Sequence, residues 1–175
     1  MNLLENLLLQ ARYSQWVNQR LYDACFTLAG EERKRERGVF FGSIHGTWNH
    51  LLLGDRVWLA RLQGRPVPYQ RLDLELYADF AELRAAQIDC DQVLLDWIQG
   101  LQTDDLQRRI AFRSLSTGQD RVLEVATMLT ALLIHKTHHR GQITALLSQC
   151  GCDYGDIDFI CAPVSITLGF TSRTI

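Results

Sequence analysis

The chain has only three prolines in 175 residues: Pro66, Pro68 and Pro163. Long proline-free stretches lie on either side of the first two, which suits long helices. Charge of one sign is also scarce. Eighteen Lys and Arg face twenty Asp and Glu, a formal net charge of -2. A strong nucleic-acid binder normally carries a basic excess, so no nucleic-acid partner is expected. Long apolar runs are missing too. The longest candidate, Val125 to Ile134, is short and contains Thr127 and Thr130. A membrane span needs about 18 apolar residues, so none is expected. The start, Met1-Asn2-Leu3-Leu4-Glu5, lacks a basic lead and a cleavable apolar segment, so no secretory signal is expected. The five cysteines, Cys25, Cys90, Cys150, Cys152 and Cys161, are odd in number and scattered. They do not form a disulfide framework and read as reduced cytoplasmic thiols, mostly buried.

What is present is ordinary for a globular chain: 47% hydrophobic and 22% charged residues. A chain this long buries about 70% of its unfolded surface, enough for one core, so residues 1–175 are expected to form one domain. Leu4, Leu7, Leu8, Ala11, Leu21, Cys25 and Leu28 follow helical spacing over Leu3–Leu28. Ser14, Gln15 and Asn18 interrupt that stripe, and a polar break in a core-facing stripe either costs stability or lines a wet cavity. Glu31 to Arg37 mixes four basic and three acidic residues and reads as a solvated connection. Ser43 can cap a second helix to about Gln63, ended by Gly64, Pro66 and Pro68.

A third helix is expected over Asp79–Ile98, with Phe80, Leu83, Ile88, Leu94 and Leu95 apolar and Gly100 as its stop. Around Gln107–Arg113, Ile110 and Phe112 alternate with other residues, and Ser116-Thr117-Gly118-Gln119 is turn chemistry. That pattern reads as a small irregular hairpin. A fourth helix runs from about Val122 to Gln149. Four long helices and a minor hairpin imply an all-α helical bundle. Asp153, Asp156 and Asp158 in the tail do not match a calcium loop.

The histidines carry the chemistry. His135 and His139 are four apart, so they share a helix face and can point at one ion. They fall on the line Met128, Leu132, His135, His139, Gln142, Leu146, whose alternating intervals mark a bundle seam. His138 sits one residue off that line. His50 is the candidate third ligand, because Gly46 and Gly54 lie one turn to either side and leave room for an imidazole. His45 is five residues before His50, about 140° round the helix, and cannot easily share its ion. The bland alternative is that these are satisfied core histidines.

Three neutral imidazoles leave a divalent ion its full charge and an open position for water or a substrate. Imidazole suits zinc, nickel, copper and iron alike. Asp55 and Arg140 either pair across two helices or both reach solvent. Gln142 either hydrogen-bonds a ligand imidazole or a bound water, or pairs with another side chain. Trp16, Trp48, Trp58 and Trp97 read as core residues.

Thr47-Trp48-Asn49-His50 with Asp55-Arg56-Val57-Trp58-Leu59 resembles the second-helix motif of the DinB/YfiT-like family. Thr137-His138-His139-Arg140-Gly141-Gln142, with His135 four before His139, resembles its signature, and Tyr13, Trp16, Asn18 and Leu21 its first-helix pattern. The likeness reaches to about Phe159. It implies an up-down-down-up four-helix bundle with a long crossover, and a divalent metal, often nickel or zinc, on His50, His135 and His139. It also implies a homodimer and, for some relatives, transferase or isomerase chemistry with low-molecular-weight thiols. From residues and resemblance together, a cytoplasmic metal-binding protein is expected. It would be a metalloenzyme of transferase or hydrolase type acting on a small-molecule substrate by activating water or a thiol; the alternative is a non-catalytic binder of metal or a small ligand.

Overall fold

The computed structural model describes residues 1–167. Its order is α1 (Leu3–Phe26), α2 (Gly30–Lys34), α3 (Ile44–Leu62), α4 (Phe80–Gln99), β1 (Arg109–Arg113), β2 (Asp120–Glu124), α5 (Val125–Gln149) and α6 (Val164–Thr167). Side chains set the starts. Asn2 and Glu5 form a reciprocal capping box at α1. Ser43 accepts from the Gly46 amide at α3, and Asp79 accepts from Ala81 and Glu82 at α4.

Helix α5 begins three residues later than its periodicity suggests. Residues 120–124 instead pair antiparallel with 109–113, Phe112 opposite Arg121 and Ile110 opposite Leu123. No side chain caps α5; the Val125 amide donates to the Arg108 carbonyl, so the hairpin itself closes the helix start. The turn after α5 uses Gly151 at φ +71°, where the Cys152 amide returns to the Leu147 carbonyl.

The fold is the expected all-α, up-down-down-up four-helix bundle. α1 packs on α4 and α5, and α3 packs on the same two, so α3 and α5 share a long seam. Leu21, Leu52, Leu83, Ile98, Leu132 and Ile143 are fully buried between them. Each such side chain is worth about 1.5–3 kcal/mol of burial. Trp48 is fully buried and stacks on Tyr22 at 3.9 Å, whereas Trp16, Trp58 and Trp97 pack on the core from its edges.

Several local expectations need correction. Residues 31–37 are not simply a solvated connection: Arg33 lies over the Phe80 ring at 4.6 Å, and Arg37 donates to Glu32. Ile88 is exposed, because Gln87, Cys90 and Asp91 take the inward face of α4. Only Cys25 and Cys90 of the five free cysteines are buried. The tail packs on α1, where Tyr13 donates to the Ile157 carbonyl and meets the Phe159 ring. Among the described residues, no helix is long and apolar enough to cross a membrane.

The crossover, residues 63–79, lies against α3. Asn49 accepts from the Leu76 and Tyr77 amides and donates to the Tyr77 carbonyl; Arg56 donates to the Tyr77 hydroxyl. A segment with no regular structure is thereby held by side chains of one helix.

Candidate metal centre

Helix α3 brings His50 and α5 brings His135 and His139 to the shared seam. One ring nitrogen from each residue lies within 4.8 Å of the other two. His50 Nε2 and His135 Nε2 are 3.1 Å apart. Ring centroids are separated by 4.5 Å for His135 and His139, 4.6 Å for His50 and His139, and 5.2 Å for His50 and His135. Two glycines allow this crowding. A Cβ on Gly54 would stand 3.0 Å from His135 Cε1, and a Cβ on Gly46 would collide with the Phe41 carbonyl. That close approach lets the Phe41 ring stack on His50 at 3.7 Å.

Two of the rings are oriented by their outer nitrogen. His50 Nδ1 is 2.8 Å from the Leu72 carbonyl, which can only accept, so Nδ1 carries the proton and Nε2 keeps a lone pair. His139 Nδ1 is 2.7 Å from Gln142 Oε1, which leaves Nε2 free in the same way. His135 Nδ1 is buried with no partner among the described residues. Burial is the first cause that depresses all three imidazoles, and repulsion from neighbouring histidines adds to it, His139 acting on His50 and His135, and His138 acting on His139. His50 is pushed down to about 4 and His135 to about 3, and His139 is also lowered. All three are neutral at pH 7, the form that ligates metal. Three convergent, neutral imidazoles, two of them held by an outer hydrogen bond, fit a divalent metal ion.

The other two histidines stand apart from the cluster. His45 turns to the Tyr77 carbonyl at 2.9 Å and to Glu75 at 3.5 Å. His138 is exposed at the rim, its ring 4.8 Å from that of His139.

Behind the histidines lies a buried polar network that the sequence did not reveal. Asp55 and Arg140 neither pair nor reach solvent. Asp55 instead accepts from Lys136 Nζ at 2.5 Å, and the same ammonium donates to Asp91 at 2.8 Å. Gln87 donates to both carboxylates and Asn18 to Asp91. Arg140 donates to the Ser14 carbonyl and hydroxyl. The polar break in α1 is therefore not idle, since Ser14 accepts from Arg140 and Asn18 donates to Asp91. Burial alone would lower the Lys136 ammonium; two adjoining carboxylates outweigh it and hold the proton more tightly than usual. Lys136 directly follows His135 and Arg140 directly follows His139, so these buried contacts fix the rotation of α5 where the two rings sit.

One side of the histidine cluster opens to a cavity of about 780 Å³, which His50 and His135 line together with Gly54, Val57, Trp58 and Phe112. Such a volume is in the range of small-molecule sites.

Comparison with known proteins speaks to the family and the fold. A 25% identical relative, Protein DinB of Bacillus subtilis (strain 168), aligns over 154 residues, 82% of this chain and 88% of its own length. The crystal structure of a DinB-like protein from Bacillus cereus ATCC 10987 superposes with a TM-score of 0.64. It covers 82% of this chain and 90% of that one at 20% identity, which speaks to the fold. The model of the DinB family matches residues 2–164. With nearly the whole chain matched and the bundle in place, this protein belongs to the DinB family.

Proposed function

We propose that the protein binds one divalent metal ion through His50, His135 and His139, and that it is a metalloenzyme of thiol-dependent transferase or hydrolase type. The observation that carries the reading is the convergence of the three rings, two of them with the outer nitrogen already committed to a hydrogen bond. A divalent ion so held supplies Lewis acidity, which lowers the pKa of a water or thiol bound to it. The chain supplies the rest. Leu72 and Gln142 hold the ring tautomers, and burial keeps the ligands uncharged. Val57, Trp58, Phe112 and Leu123 wall the adjoining cavity with apolar surface, which displaces water from a bound small molecule. A cavity that includes two of the three histidines favours an enzyme over a closed metal store.

The test is metal uptake by protein purified without a histidine tag, read by mass spectrometry after equilibration with zinc or nickel. Wild type should hold one equivalent. His50→Ala and His135→Ala should bind far more weakly, and His45→Ala should match wild type. Equal losses in all three variants, or no uptake by wild type, would overturn the assignment.

A further inference from the structure

We propose that the cavity beside the histidines takes an elongated organic anion: an apolar body whose carboxylate or sulfonate end sits at Arg61, away from the histidines. The inference rests on the metal reading for the near end of that molecule, and on Arg61 and its surroundings for the far end.

His50, Gly54, Val57, Trp58 and Arg61 are spaced along one face of α3, and all five line the cavity. The hairpin supplies the opposite wall. Directly opposed residues of an antiparallel pair point to the same face, so Phe112 and Arg121 project together, as do Ile110 and Leu123. Phe112, Arg121 and Leu123 all line the cavity. Its walls are therefore largely apolar, with Ser114, Ser116 and Asp73 as polar interruptions, and carry two guanidinium groups around Phe112.

Arg61 lies with its guanidinium 4.4 Å from the centre of the Phe112 ring and 5.3 Å from that of Trp58. Its one hydrogen bond goes from Nη2 to the Arg113 carbonyl at 3.0 Å. Arg121 donates to the Gln119 side chain. Neither arginine enters an ion pair among the described residues. Among the described residues, the one carboxylate that lines the cavity, Asp73, is already held by two hydrogen bonds from Arg71. Burial lowers the Arg61 pKa, so its charge is partly stripped of water with no anion beside it. A planar guanidinium packed over the Phe112 ring and beside Trp58 is pre-organised for a carboxylate.

Length follows from the helix. Eleven residues separate His50 from Arg61, about 16 Å along the axis at about 1.5 Å per residue. A side chain leans toward the helix N-terminus, so the guanidinium reaches back toward the histidines. Because His50 leans the same way by less, on the order of 10–13 Å then remains between the histidine nitrogens and the arginine. A medium-length alkyl or aryl-alkyl acid spans that gap.

The test uses ω-mercaptooctanoate and its uncharged counterpart ω-mercaptooctanol, titrated calorimetrically into zinc-loaded protein. Wild type should bind the acid at least about tenfold more tightly, the scale of one charge-assisted pair. Arg61→Gln should erase that preference with zinc affinity unchanged, and Arg61→Lys should restore part of it. Equal affinity for acid and alcohol in wild type, or a preference that survives Arg61→Gln, overturns the inference. Octanoate and octanol on metal-free protein read the arginine end alone. A preference there in a protein that takes up no zinc would sink the metal reading and keep the anion site. Zinc uptake with no preference would do the reverse.

Discussion

Lys136→Met removes the cation from the middle of the bundle and leaves most of the volume in place. The side chains of Lys136, Asp55 and Asp91 are 1%, 3% and 5% exposed, so nothing from solvent replaces the ammonium. Two carboxylates would then face each other with only Gln87 and Asn18 as donors. Removing one partner of a buried pair costs about 3–5 kcal/mol. A second route gives a ceiling. One aspartate escapes the penalty by taking up a proton. About three pH units separate a carboxyl pKa of roughly 3.9 in the unfolded chain from pH 7, each worth about 1.4 kcal/mol. The loss is therefore about 4 kcal/mol at pH 7.

The sign with pH follows. A carboxyl whose folded pKa is raised above its unfolded value binds more protons in the folded state, so its stability is present at low pH and lost as pH rises. The gap between variant and wild type should shrink to about 1.5 kcal/mol at pH 5. Urea unfolding at the two pH values measures it. A difference below about 1 kcal/mol at pH 7, or one that does not change with pH, would refute the idea that Lys136 neutralises this pair.

Two smaller substitutions test how the rings are held. Gly54→Ala places a methyl 3.0 Å from His135 Cε1, so the ring must move by a few tenths of an ångström. Zinc affinity should drop about tenfold while the melting temperature stays close to wild type, and unchanged affinity would show that the ring is not confined there. Gln142→Leu removes the acceptor on His139 Nδ1. Competition with a chromophoric chelator should show zinc binding about tenfold to a hundredfold weaker, and an effect under about twofold would mean that the tautomer is held by something else.

Much of this centre was legible in the residues. Ser43 announces the start of α3 because capping is local chemistry. His135 and His139 show themselves by spacing, and His50 by the glycines on its face. Lys136 was hidden for a physical reason. A narrow seam through Met128, Leu132, His135 and His139 leaves position 136 outside, and a lysine there reads as solvated. The buried stripe of α5 is broader and takes in Leu133, Lys136 and Arg140. Its partner Asp91 was masked in the same way, since Ile88 looked like the better inward residue of α4. The hold of the crossover on His50 was out of reach for another reason: the group that touches the ring is the backbone carbonyl of Leu72, and a carbonyl has no letter in the sequence.

That last contact sets an unusual rule for substitution. Because main chain rather than a side chain braces the His50 imidazole, the amino acid at position 72 is free to vary so far as this bond is concerned. The spacing is not free. Between Leu72 and the clamp at Leu76 and Tyr77, an inserted or deleted residue would slide a different carbonyl past the ring or leave it with none. A stretch that looks like a passive tether behaves as a ruler, intolerant of a change in its count and indifferent to much of its spelling.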